Sequence, residues 1–141
     1  MQDGFDSAAV VRAMDRARER VAAVRAVWSS AVAGGRAPYG AARTAFPDHS
    51  ARVYMVRTIR AAAARGGPLP AMSPASARCT LGALQTRREA LTVDDLYALC
   101  DLLRLAADLS DDRAERTGCH AYRGVAHAEL IRRVTKSACR R

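Results

Sequence analysis

The sequence predicts an all-α protein: a compact bundle of about five to six helices around one apolar helix at 92–109, folded as a single domain over 1–141. Three observations carry that prediction. Ala, Leu and Val supply most of the apolar half of the composition while aromatics are only 5%, a mixture that favours helix. Apolar residues recur at steps of three and four, and the period-two alternation of a half-buried strand is absent. Glycine and proline gather at a few points, Gly34–Gly35, Pro47 and 66–74, where they divide helices from one another. A chain of 141 residues is long enough to close one core.

The first helix is expected from Asp6 or Ser7 to about Ala33. Along it Val10, Met14, Ala17, Val21, Val24, Trp28 and Val32 form a continuous stripe. Arg12, Asp15, Arg16, Arg18, Glu19, Arg20 and Arg25 fall on other faces, and their mixed signs at helical spacing suggest local ion pairs on a solvated surface. Gly34 and Gly35 end the helix, as glycine does by accepting a left-handed backbone. Residues 38–46 (PYGAARTAF) start with proline at a first helical position and have room for about two turns. Pro47 stops them, and Asp48 or Ser50 opens a helix that runs to Gly66. The segment 66–74, GGPLPAMSP, is the clearest loop and the expected hinge.

After the loop, Ser73 and Pro74, or Ser76, start a shorter helix through about Arg88. The central helix follows. Thr92 caps its free amides, with Asp95 three residues on in an acidic capping box and Asp94 adding charge suited to the positive end of the helix. Leu96, Leu99, Cys100, Leu103, Ala106 and Ala107 share one face and Leu102, Leu105 and Leu109 a second, leaving a narrow polar sector of Asp94, Asp101, Arg104 and Asp108. So little polar surface requires cover on most sides. Ser110 is expected to cap a brief acidic turn that breaks at Gly118. The last helix, about Tyr122 to Ala138, should turn Val125, Leu130, Ile131 and Val134 inward.

Charge is the main functional signal. There are 22 Arg and one Lys against 14 acids, a net charge of +9. A GC-rich genome accounts for arginine over lysine, but not for the excess of bases over acids. Such a surplus attracts polyanions, nucleic acid above all, and would also attract an acidic protein. The charge is also uneven: residues 1–88 carry 14 basic and 5 acidic groups, 89–115 carry 2 and 8, and 116–141 carry 7 and 1. An acidic band repels phosphate, which leaves the N-terminal half and the C-terminal end as the binding regions. The band would alternatively neutralise arginines inside the fold or in a second subunit.

Within the N-terminal half, the helix pair over 38–65 has the outline of a helix-turn-helix, whose second helix enters the major groove. Ser50 would then meet phosphate, Tyr54, Arg57 and Thr58 would approach base edges, and Arg43, Arg52, Arg60 and Arg65 would hold the backbone. The usual turn glycine is missing, however, and an ordinary helical hairpin gives a similar pattern. The second basic cluster is Arg132, Arg133, Lys136, Arg140 and Arg141, which would bind backbone phosphate or act as a nuclear import signal. Part of it also complements the negative end of a helix.

Other chemistries find little support. Cys119, His120, His127 and Cys139 lack the close pairing of structural zinc sites, because only two are adjacent and neighbours on a helix point about 100° apart. His49, His120 and His127 have no carboxylate and nucleophile in a recognisable order, and no glycine-rich phosphate loop follows a strand. No enzyme, metal or cofactor is expected. The four cysteines form no CxxC, the start MQDGFDS lacks the pattern of a secretory signal, and no apolar run is long enough for a membrane span. An intracellular protein is expected, cytoplasmic in a bacterium and nuclear in a virus-infected or eukaryotic cell.

The resulting expectation is a small basic, regulatory or architectural nucleic-acid-binding protein, with DNA favoured over RNA. The alternative is a non-enzymatic helical adaptor, virus-encoded or bacterial, that presents a groove to an acidic or helical partner or self-associates through the first-helix stripe. A homodimer fits both readings.

Overall fold

The computed structural model describes residues 7–35 and 76–139, apart from the side chains at 24, 27, 28, 31, 32 and 139. Among the described residues there are four α-helices and one short 3-10 turn, with no strand. The helices are α1 (Ser7–Ala33), α2 (Ala77–Thr86), α3 (Val93–Leu109) and α4 (Arg113–Cys139), and the 3-10 turn spans Arg88–Ala90. The expected helix pair at 38–65 and the hinge at 66–74 lie outside the described residues.

Helix α1 follows the expected stripe as far as its side chains are described. Val10, Met14, Ala17 and Val21 are buried, and Ala9 and Ala13 widen the stripe on one side. At its end Gly35 adopts a φ of 67°. A side chain would be strained in that left-handed conformation, which fits the expected glycine stop.

Helix α2 begins where Ser76 accepts a hydrogen bond from the Cys79 amide at 3.1 Å and buries Ala77, Leu81 and Leu84. It ends at Thr86, two residues short of the expected Arg88. The Arg87 N–H still reaches the Ala83 carbonyl at 2.7 Å, after which the chain tightens into the 3-10 turn. The shorter turn brings Leu91 to the core, where it is 9% exposed; an α-helix continued through Arg88 would have carried the chain past it.

Helix α3 starts on the reciprocal cap read from sequence. Asp95 N–H donates to Thr92 Oγ1 at 3.0 Å and Thr92 N–H donates to Asp95 Oδ2 at 3.1 Å. Leu96, Leu99, Leu102, Leu103, Leu105, Ala106, Ala107 and Leu109 are buried on it, while Cys100 is partly buried against the core. Helix α3 packs on both α1 and α4, which is how its two apolar strips are covered.

Helix α4 corrects two expectations. Asp112, rather than Ser110, caps it, with Oδ1 accepting from the Ala114 and Glu115 amides at 2.8 and 3.1 Å. It then runs through Gly118 without a break. An interior glycine costs about 1 kcal/mol relative to alanine, but the face containing Glu115, Cys119, Tyr122, Ala126 and Leu130 is buried without interruption. Burial of its larger side chains contributes about 1.5–3 kcal/mol each, so packing outweighs the local preference. That same face sets the helix phase. Leu130 and, in part, Val125 turn inward, whereas Ile131 and Val134 are 54% and 56% exposed. Ile131 stands nine residues from Tyr122, about 180° around the helix, so it cannot share that core.

The three-residue link 110–112 folds α4 back on α3. Ser7 meets Tyr122 and Arg16 meets Glu115, an order of contacts that makes α1 and α4 antiparallel. No described helix is long and apolar enough to cross a membrane.

Candidate functional site

Charged residues on these helices fall into two kinds of site, those that join elements together and those that face solvent. The first joining site lies where α1 crosses the start of α4. Arg16 donates from Nη1 and Nη2 to the two Glu115 oxygens at 2.8 and 3.3 Å. Ser110 Oγ donates to Glu115 Oε1 at 2.6 Å. The carboxylate is almost wholly buried and the guanidinium is about a third exposed. Burial pushes the Glu115 carboxyl up, but hydrogen bonds from Arg16 and Ser110 and the Arg16 charge outweigh it, leaving its pKa below the ordinary value. The sequence places Arg16 on a solvated face; in the fold it neutralises an acid of the 89–115 band.

The second joining site ties α4 to the 3-10 turn. Glu129, 7% exposed, accepts from Arg132 at 3.1 and 2.6 Å and from Arg133 Nε at 2.9 Å. Hydrogen bonds from Arg132 and then Arg133 bring its pKa down to about 2, against the opposing effect of burial. Arg133 also donates to the carbonyls of Leu91 and Arg88, the latter at 2.7 Å. One guanidinium therefore holds a turn more than forty positions away in sequence.

A third, uncharged junction joins three helices. Tyr122 Oη lies 2.8 Å from Ser7 Oγ, and Gln85 Nε2 donates to Tyr122 Oη at 2.6 Å and to Ser7 Oγ at 3.3 Å. The hydroxyl of the buried Tyr122 is thereby satisfied from both α1 and α2, as a buried polar group requires.

The sequence-predicted contact residues are distributed as follows. Arg43, Ser50, Arg52, Tyr54, Arg57, Thr58, Arg60 and Arg65 lie outside the described residues, as do Arg140 and Arg141. Arg132 and Lys136 are exposed and Arg133 is partly buried. With Glu89 and Ser137 they line an open cleft of about 280 Å³ between the 3-10 turn and the end of α4. Of the zinc candidates, Cys119 faces the core while His120 and His127 face solvent, so these three do not converge. Among the described residues no three metal-binding side chains group together.

Two features are not anticipated from sequence. The joining role of Glu115 has one legible sign, a carboxylate four residues before Cys119 and seven before Tyr122 on an apolar stripe. Its partner on α1 has none. The second feature is an apolar groove of about 170 Å³ between α1, α2 and α3. Met14, Ala77, Leu99 and Leu102 are among its lining residues, with Arg18 and Asp95 also contributing.

The described residues contain 15 basic and 11 acidic side chains, whereas 36–75 contain six and one. Most of the net positive charge thus belongs to 36–75 and to Arg140 and Arg141. No protein-family model matches the chain, and comparison with curated proteins and with solved structures gives no match.

Proposed function

We propose that this is a small, non-enzymatic nucleic-acid-binding protein, with duplex DNA its preferred partner, in which the described helices form the frame and residues 36–75 supply most of the binding charge. One observation carries the reading: basic and acidic groups are nearly balanced in the frame but stand at six to one in 36–75. The frame spends arginines on internal carboxylates, Arg16 on Glu115 and Arg132 and Arg133 on Glu129. The segment 36–75 has only Asp48 to set against six arginines. A phosphate backbone is the partner that such a surplus suits best.

The reading of 38–65 as a helix pair, which brings the bundle to six helices around α3, belongs to this proposal. Ser50, Tyr54, Arg57 and Thr58 are then the residues nearest the bases, with Arg43, Arg52, Arg60 and Arg65 on the backbone. A homodimer would match a two-fold site. The protein would act in the cytoplasm of a bacterium or the nucleus of a virus-infected or eukaryotic cell, as a regulatory or architectural factor.

A gel-shift titration of a duplex across a salt series tests the proposal. Affinity should fall linearly with salt on logarithmic axes, because each phosphate contact releases condensed counterions. Absence of a shift at low salt, or one indifferent to salt, would refute it.

The second reading, a helical adaptor, is favoured by the apolar groove between α1, α2 and α3 and by exposed Val93, Tyr97, Ile131 and Val134. A groove of this kind can receive a partner helix. Under this reading the chain would capture a protein partner or a second copy with no dependence on DNA.

A further inference from the structure

The cleft between the 3-10 turn and the end of α4 has side chains in two conditions. Arg133 is engaged: its Nε, Nη1 and Nη2 all donate within the protein, to Glu129, Leu91 and Arg88. Arg132 is only half engaged, because Nε and Nη2 hold Glu129 and Nη1 has no partner among the described residues. Lys136, one turn beyond Arg132, is exposed and forms no ion pair with a described residue. Ser137, the next residue, is also among those lining the cleft. Glu129 fixes the Arg132 guanidinium by two bonds, which lowers the entropy lost when its outer edge meets a ligand.

Glu89 on the opposite wall and the negative end of α4 oppose an anion, the latter with about half a charge. The turn and the helix end together carry Arg88, Arg132, Arg133 and Lys136 against Glu89 and Glu129. Four cations against two carboxylates leave the region net positive.

We propose that this cleft binds one phosphate group, held by Lys136, the outer N–H groups of Arg132 and the Ser137 hydroxyl, while Arg133 and Glu129 build the cleft without touching the ligand. The phosphate is a backbone phosphate of nucleic acid, and that identification rests on the function proposed above. The division of labour alters the meaning of the basic cluster. Arg133 is a positioning residue, not a contact, and Glu89 is a brake on affinity.

The test is an amide NMR titration of the full chain with inorganic phosphate at constant ionic strength, with chloride as control, followed by a duplex oligonucleotide. Phosphate should saturate shifts at Glu89, Lys136 and Ser137 that chloride does not produce. Lys136→Ala and Arg132→Ala should each weaken phosphate about tenfold, as expected for a lost charge-assisted hydrogen bond. Glu89→Gln should tighten it by about threefold by removing a like charge. Both Lys136 and Glu89 are exposed, so their variants keep the fold.

Phosphate shifts equalled by chloride, or unchanged in Lys136→Ala, would overturn the site. If the duplex still binds in that case, the nucleic-acid function survives without it. Saturable phosphate binding with no duplex binding would uphold the phosphate cleft and reject the backbone as its source.

Discussion

Arg16 of α1 grips Glu115 of α4 with two nitrogens, at 2.8 and 3.3 Å, across 99 positions of sequence. The two ends of this contact are unequal, since the carboxylate is almost fully buried and the guanidinium still reaches water. Removing the arginine strands a buried charge. Neutralising the carboxylate strands little, because the amide introduced by Glu115→Gln keeps an oxygen for Ser110 and Arg16 can be hydrated. Arg16→Ala should therefore cost about 2–3 kcal/mol, somewhat below the value for breaking a fully buried pair, and Glu115→Gln about half as much. Urea denaturation of the two variants measures the difference. Equal losses would show that the pair acts as an ordinary surface bridge.

Acid should destabilise the frame in a defined window. The Glu129 pKa is about 2 in the folded protein, whereas an unfolded glutamate titrates near 4.3. The stabilisation from a depressed carboxylate is fully present above the unfolded value and is lost as pH falls through the folded one. Glu115 is depressed too and adds in the same direction. The urea midpoint should fall from about pH 4.3 towards pH 2, and Glu129→Gln should flatten that fall. A variant with an unchanged pH profile would show that Glu129 is not linked to folding.

Helix α3 contributes Leu99 at 2% exposure and Leu103 at 0%. An aspartate at either position would have to ionise in an apolar core or be buried protonated, and that cost adds to the roughly 2–5 kcal/mol lost with the leucine's packing, which brings the total to the 4–5 kcal/mol or more that few substitutions reach. Leu99→Asp and Leu103→Asp should both lose cooperative thermal unfolding by circular dichroism. A cooperative, soluble variant would remove α3 from the core.

The thiols should react in order of accessibility. Cys79 is exposed, Cys100 partly buried and Cys119 buried. Burial, helped by the Glu115 charge, pushes the Cys119 thiol up to about 12. Burial raises Cys100 as well, with Arg123 partly offsetting it. Because the thiolate is the reactive form, a thiol reagent at pH 8 should label Cys79 within minutes and Cys119 only on unfolding. Mass spectrometry of the labelled peptides reads the order. Early labelling of Cys119 would mean that α4 opens readily.

What is legible in the sequence is local. The Thr92–Asp95 cap, the glycine stop at Gly35 and the stripe from Val10 to Val21 depend on residues within one or two turns of each other, and all are present. The differences are tertiary. Gly118 reads as a break when its propensity is judged without the buried face on either side of it. Ile131 and Val134 read as core because an apolar side chain carries no record of its helix phase. Arg16 and Glu115 are both charged, and nothing in either neighbourhood reveals that they meet. Glu129 with Arg132 and Arg133 stands at spacings of three and four and is legible in principle, but two arginines in a basic tail suggest a ligand before a carboxylate.

The central claim is that most of the binding charge resides in 36–75 and not on the exposed arginines of α1 and α3. Fluorescence anisotropy of a labelled duplex across a salt series tests it with two variants that remove the same charge, Arg52→Gln with Arg60→Gln and Arg12→Gln with Arg104→Gln. Arg12 and Arg104 are exposed on α1 and α3, so the second pair leaves the core packing of the frame intact. The account predicts that the first pair lowers affinity and reduces the salt slope by about two, while the second leaves the slope at the wild-type value. Equal losses from the two pairs, or a wild-type protein whose binding ignores salt, would contradict it.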